Sequence, residues 1–185
     1  MSTARKLAPA TLAAVLALTI APAAQAQTTA TAAPSAVDQA GWVLHASAQD
    51  KAYLRQAHRG HLAEIAAGRA ALRESRDRGV RAIAWRLIRD HRRLDARLRS
   101  VADRLDVRIP DAPSAEQRAA LRAVTARSGH RFDRAWLRLQ ADAHYRSLRL
   151  AQVELRLGHS EWVKDLARDS APVIRHHLRM IRAEQ

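Results

Sequence analysis

The sequence predicts an all-α protein in which four long helices form a bundle, with a short extra helix in a long crossover. Three observations predict this. Chain breakers are scarce, six glycines and six prolines in 185 residues, in a background of alanine, leucine and arginine, all good helix formers. Apolar residues recur at three-to-four spacing along several stretches, and no stretch alternates as a strand would. The break signals fall at Arg78-Gly79, Ile109-Pro110-Asp111-Ala112-Pro113, Gly129 and Gly158, which leaves two short turns and one long connection. That wiring joins two helical hairpins by a crossover, one of the known ways to build a four-helix bundle.

The N-terminus reads as a targeting segment. Arg5 and Lys6 make a positive start, Leu7 to Ile20 is an almost uncharged apolar run, and Ala24-Gln25-Ala26 supplies a small-x-small cleavage pattern. Residues 1–26 are therefore expected to be a signal peptide cut after Ala26, with the mature chain periplasmic or secreted. The apolar run is shorter than the about 20 residues a spanning helix needs, so no transmembrane span is expected after cleavage. Residues 27–46, rich in Ala, Thr and Ser around Pro34, read as a flexible tether, and 47–185 as the bundle domain.

Each helix has its own start and inner face. Ser47-Ala48-Gln49-Asp50 offers N-cap candidates for a first helix reaching about Arg76. The second helix, from Val80 to about Leu105, carries the clearest seam: Val80, Ala84, Leu87, His91, Leu94, Leu98, Val101 and Leu105. Ser114 and Gln117 form a capping-box pattern that opens the short helix, which ends near Ser128. The third long helix covers about Arg131 to Leu157, with Leu137, His144, Leu148, Ala151 and Leu155 on one stripe. Ser160 opens the last helix, whose inner face holds Val163, Leu166, Ser170, Val173 and His177; Pro172 inside it predicts a kink.

A series of short motifs then resembles a known family. Leu62-Ala63-Glu64-Ile65, Asp90-His91, Leu105-Asp106-Val107-Arg108-Ile109-Pro110, Ser128-Gly129-His130-Arg131-Phe132-Asp133, His144, and Pro172 with His177-Leu178 occur in that order. Over about Asp50 to Ala183 the chain is similar to the exported bacterial proteins of domain-of-unknown-function family 4142. The resemblance implies a ferritin-like four-helix bundle outside the cytoplasm and supplies no activity.

The chemistry is sought in the bundle seam. His91, His144 and His177 occupy seam positions on three different helices where Leu or Val would be expected, and Glu64 lies on the Ala57, Ala67 and Ala71 side of the first helix. Glu64 stands 13 residues before Asp77 and His91 14 after it, so a hairpin sets them level. His144 falls 13 residues into its helix, near the midpoint, and His177 is displaced by four residues, about 6 Å. Imidazole nitrogen and carboxylate oxygen suit zinc, iron, copper or manganese, so Glu64, His91, His144 and His177 are candidate ligands of a transition-metal ion. The same four groups could instead form a self-satisfied buried polar network. The residues three before the histidines are Ile88, Ala141 and Ile174, not the glutamates of a di-iron carboxylate site.

Other polar residues are expected to be structural. His58, His61 and Glu64 recur every third residue and suggest at most a surface chelate. Asp90, about 100° around the helix from His91, reads as a surface carboxylate paired with arginines, and Asp133 as a capping or arginine-paired group far from the cluster. His176 is expected to face away from His177.

Composition bounds the rest. With no cysteine, disulfides, thiolate catalysis and zinc–thiolate sites are excluded. No glycine-rich phosphate loop, Gly-x-Ser-x-Gly elbow or paired-His zinc helix occurs, so an enzyme is expected only if the buried cluster supplies the chemistry. The net charge of +14 comes from 32 basic and 18 acidic residues, and 29 of the basic residues are arginine. Arg86, Arg89, Arg93 and Arg97 recur on the outer side of the second helix, which makes an anionic envelope surface, lipid headgroup or polysaccharide, the alternative partner. Specific nucleic-acid binding is not expected, since no motif accompanies the charge. Acids such as Asp95, Asp103 and Asp106 would partly neutralise this coat. Oligomeric state is left open.

Overall fold

The computed structural model describes residues 45–185. Five helices follow one another there: α1 Ala48–Glu74, α2 Arg78–Arg104, α3 Ala115–Thr125, α4 Gly129–Leu157 and α5 Glu161–Ala183. No strand occurs among the described residues, and no helix among them is long and apolar enough to cross a membrane. The expected signal peptide and its cleavage site lie outside the described residues, as does the tether except for its last two positions. Of those two, Ala46 is buried against the bundle core, so the packed region starts before residue 47.

The helix starts follow from the capping chemistry. Ser47 accepts a hydrogen bond from the Asp50 amide (3.1 Å) while the Asp50 carboxylate accepts from the Ser47 amide (2.7 Å), a reciprocal cap that satisfies two orphan donors. Asp77 caps α2 by accepting from the Val80 amide. Ser114 and Gln117 form the same reciprocal box at α3. The α2 C-terminus closes by the Val107 amide donating to the Ala102 carbonyl (2.8 Å), with Asp106 in the left-handed region at φ 49°. α4 begins at Gly129, earlier than the apolar stripe suggests, because a glycine accommodates φ +53° there. The α5 helix runs through Pro172 without ending.

The α1–α2 and α4–α5 hairpins pack side by side, with α1 beside α4 and α2 beside α5. One apolar cluster joins Ala71, Val80, Phe132, Trp136 and Ile181. The other joins Leu54, Leu98, Leu105, Ala151 and Val163. The start of α2 thus meets the start of α4 and the end of α5, and the crossover carrying α3 spans the bundle length. The resulting up-down-down-up arrangement is a four-helix ferritin-like bundle with a short helix in its long crossover.

Two ties fix the ends. The Asp50 carboxylate also accepts from the His159 and Ser160 amides (3.0 and 3.2 Å), which pins the α4–α5 turn to the start of α1. The buried Trp136 indole N–H donates to the Ala67 carbonyl at 2.9 Å, locking α4 onto α1. The α4 stripe differs from its expected composition. Gln140 and Glu154 are fully buried, whereas Leu155 is exposed.

Candidate metal centre

Between the two apolar clusters lies a polar layer. Glu64, His91, His144 and His177 are all buried at mid-bundle, one from each long helix, as counting along the hairpins predicts. His177 is not displaced from the others, contrary to the count. The ring centroids of His91, His144 and His177 form a near-equilateral triangle with sides of 5.4, 5.4 and 5.2 Å. Each of the three offers one ring nitrogen, and these nitrogens lie within 4.8 Å of one another.

The proton arrangement follows from the outer partners. His144 Nδ1 lies 2.8 Å from the Gln140 carbonyl, which can only accept, so the proton is on Nδ1 and the Nε2 lone pair points inward. His177 Nε2 lies 3.0 Å from the Asp90 carboxylate, which fixes its proton there and leaves the Nδ1 lone pair inward. These two lone pairs face each other across 3.1 Å. His91 Nδ1 is 3.0 Å from His61 Nδ1, and His91 Nε2 is buried without a hydrogen-bond partner. The inward nitrogens of His144 and His177 therefore carry no proton, and His91 Nε2 lies buried beside them with no partner of its own.

Glu64 stands outside this triad. Its Oε1 lies 3.5 Å from His144 Nδ1, the ring edge turned away from the other two histidines, and its Oε2 has no partner. It supports His144 rather than joining the converging nitrogens, which departs from its expected place as a ligand. A carbonyl or carboxylate behind each ligating imidazole is the usual outer support of a metal site. Gln140 with Glu64 provides that behind His144, and Asp90 behind His177.

Burial dominates the electrostatics. It drives His144 down to about 3, helped by the neighbouring His177, and His61 down to about 4. It holds His91 well below the ordinary imidazole range, and the three surrounding imidazoles push the same way. His177 is also lowered by burial, against the pull of Asp90. Neutral imidazoles with available lone pairs result, the form a metal requires. Burial pushes Glu64 up to about 8, opposed by Arg146. At Asp90 burial acts upward, but hydrogen bonds from His177 and Arg89 outweigh it and hold the carboxyl low.

Several residues expected at the surface belong to this layer. His58, His61 and Glu64 make no surface chelate, because all three are buried and each turns to a different partner. His58 Nδ1 contacts the Asp95 carboxylate at 2.5 Å, His61 meets His91, and Glu64 meets His144. Asp95, expected in the charged coat, is buried and also takes an ion pair from Arg99 at 3.5 Å. Hairpin counting carries the signal for this pair, since His58 lies 19 residues before Asp77 and Asp95 18 after it. Asp90 pairs with Arg89 as expected and also with His177, a contact that depends on where α5 packs and has no local signal. His176 sits beside His177 at 6.3 Å between ring centroids, with its Nδ1 toward Arg179. Asp133 is buried, with Oδ1 unpartnered.

Comparison with known proteins agrees with this architecture. The model of the domain of unknown function DUF4142 matches residues 23–183, and the chain belongs to that family. No curated protein matches it. Among solved structures it is similar to a DUF305 fragment from Deinococcus radiodurans, at 18% identity and a TM-score of 0.68 over 75% of this chain and 96% of that one. It is also similar to a candidate secreted DUF305 protein from Streptomyces coelicolor, at 15% identity and a TM-score of 0.63 over 72% and 88% of the two chains. At such identities the likeness concerns the fold alone.

Proposed function

We propose that this protein is an exported transition-metal-binding bundle that holds one ion through His91, His144 and His177. The observation that carries this reading is the pair of inward lone pairs, His144 Nε2 and His177 Nδ1, facing each other at 3.1 Å with both ring protons engaged elsewhere. Two acceptors at that distance repel unless a cation lies between or beside them. The third imidazole, His91, has its Nε2 unpartnered and buried. Three neutral imidazoles without thiolate or directly ligating carboxylate suit a divalent ion from the copper–zinc end of the series. Three protein ligands leave a coordination position for an exogenous group, as in catalytic rather than structural zinc sites. Export rests on the N-terminal sequence pattern, and the cysteine-free ligand set suits an oxidising compartment.

The test is metal analysis of untagged mature protein after incubation with Cu2+ or Zn2+ and removal of excess. One ion per chain is expected for wild type and none for the His144→Ala, His177→Ala double variant. Wild-type protein that stays below a tenth of an ion per chain after loading, about the level of adventitious binding, would sink the proposal.

A second reading, binding to anionic lipid surfaces, is favoured by one observation. Trp85 is 62% exposed and lies in a shallow concavity with Arg86, Arg89 and Arg92. Tryptophan with flanking arginine suits a headgroup interface. Arg89 and Arg97 are engaged by Asp90 and Asp169, so Arg86 and Arg92 beside Trp85, rather than the whole arginine row, would carry the contact. Sedimentation with phosphatidylglycerol vesicles should decrease on Trp85→Ala, and equal sedimentation of the two proteins would remove this reading.

A further inference from the structure

A groove on the side of the bundle runs between α1, α3 and α4, with a volume of about 440 Å³. This is within the range of small-molecule sites. Its floor includes Glu64 and Gln140, 4% and 1% exposed. Glu64 Oε2 and Gln140 Oε1 are both buried without a hydrogen-bond partner. Burying such an atom without a partner is unfavourable, and two among the lining residues of one groove call for a ligand that supplies donors. The walls are apolar, from Ala63, Ala67, Leu121 and Leu139. Arg59 and Arg146 line the groove and are exposed; neither makes a hydrogen bond or close ion pair with a described residue, and Arg146 acts on the Glu64 carboxyl at longer range. Glu116 is the one acid of the exposed rim.

These features define complementary chemistry at two depths. Guanidinium groups at a groove rim recognise a carboxylate in bidentate fashion. The two floor oxygens recognise a hydroxyl or amino group, and the walls between take an apolar body. We propose that the groove binds a small organic monocarboxylate with a hydroxyl or amino donor on an otherwise apolar body. A dianion is disfavoured by Glu116, and a purely apolar ligand would leave both floor oxygens unpaired. The site is separate from the histidine triad, although Glu64 and Gln140 belong to both neighbourhoods: the Gln140 carbonyl and Glu64 Oε1 face His144, and both residues also line the groove, each with one side-chain oxygen that has no partner.

The test uses calorimetric titration of metal-free mature protein, so its outcome does not depend on the metal reading. Two probes carry a carboxylate and a distal hydroxyl, one rigid (4-hydroxyphenylacetate) and one flexible (8-hydroxyoctanoate). Phenylacetate and 4-hydroxyphenylacetamide each lack one of the two groups. At least one hydroxy acid is expected to bind saturably at one per chain, with Arg146→Gln and Gln140→Leu each weakening it about tenfold or more. The matched control lacking the group should weaken similarly. Arg146 is exposed, so that substitution leaves the packing intact, and Leu121→Trp, which fills the groove from α3, should abolish binding. The proposal is overturned if neither hydroxy acid saturates by roughly 10 mM, the edge of specific small-ligand affinity. It is equally overturned if binding survives Arg146→Gln and Gln140→Leu unchanged.

Discussion

Replacing Glu64 by glutamine in the metal-free protein tests whether the mid-bundle carboxyl is held as an acid. Burial pushes this group up to about 8, from an ordinary value of 4.5. Below pH 4.5 both folded and unfolded chains carry the proton, and Glu64 exerts no charge penalty. As pH rises toward 8 the unfolded chain releases a proton that the native chain retains, so stability falls with pH across that window. At about 1.4 kcal/mol per unit, the ceiling is about 4–5 kcal/mol by pH 8. Relaxation and water entry around the buried carboxyl reduce this to about 2 kcal/mol. Glutamine has the same shape and no charge to develop. Urea unfolding at pH 5.5 and pH 8 should therefore show Glu64→Gln gaining about 2 kcal/mol on wild type between the two conditions. An unchanged difference between the proteins at both values would refute the reasoning, since Glu64 would then be as solvated as a surface carboxylate. Metal loading should shrink the effect, because a cation at His144 favours the ionised carboxyl.

Three further outcomes follow from named contacts. The imidazoles of His61, His91 and His144 titrate lower in the fold than in the open chain, so metal-free protein should lose stability as pH falls from 6.5 toward 4, measured as falling Tm. Asp50→Ala removes the carboxylate half of the α1 capping box and the acceptor for the His159 and Ser160 amides, which should cost about 2–4 kcal/mol in chemical denaturation. A side chain at Gly68 would place its Cβ 2.7 Å from Ile88 Cγ1 and 3.1 Å from the Ala84 carbonyl, so Gly68→Ala should cost about 1–3 kcal/mol by separating α1 from α2. A Tm equal to wild type in the glycine variant would show that Ile88 yields freely.

Much of the fold could be read from the sequence because its signals are local. Ser47 with Asp50 and Ser114 with Gln117 announce helix starts within a few residues, and the spacing of Val80, Ala84, Leu87 and His91 marks one inner face. Levelling Glu64 with His91 needs only the 1.5 Å rise and the position of a turn. What could not be read this way depends on rotation between helices. Glu64 is level with the triad but lies against the outer edge of His144, and no count along one hairpin fixes that angle. Asp90 meets His177 because α5 packs beside α2, a long-range fact absent from the residues around Asp90. Burial of polar residues on α4 had no local signal either: Gln140 and Glu154 lie inside, because α4 has helices on two sides and α3 over a third.

The polar layer has a thermodynamic consequence that separates a site from a scaffold. Apolar clusters lie on both sides of it, and hydrophobic side chains at His144 and His177 would make them continuous. Replacing both members of a buried polar contact by apolar groups of similar size is often neutral or stabilising, whereas removing one member leaves the other unpaired. The double variant His144→Leu, His177→Leu removes the opposed lone pairs and leaves Glu64, which carries its proton below pH 8, as the buried group that loses a partner. Asp90 is partly exposed and retains Arg89, and the Gln140 carbonyl retains its place in the α4 helix. Metal-free, this variant should be at least as stable as wild type, while His177→Leu alone should be no better, since His144 Nε2 then faces hydrocarbon. With metal present the order should reverse, because only wild type gains the binding free energy, about 3–4 kcal/mol at a free ion concentration of 100–1,000 times Kd. A double variant several kcal/mol less stable than metal-free wild type would mean that the histidines satisfy one another in the empty fold. The layer would then be a structural network, and the case for a metal would fall with it.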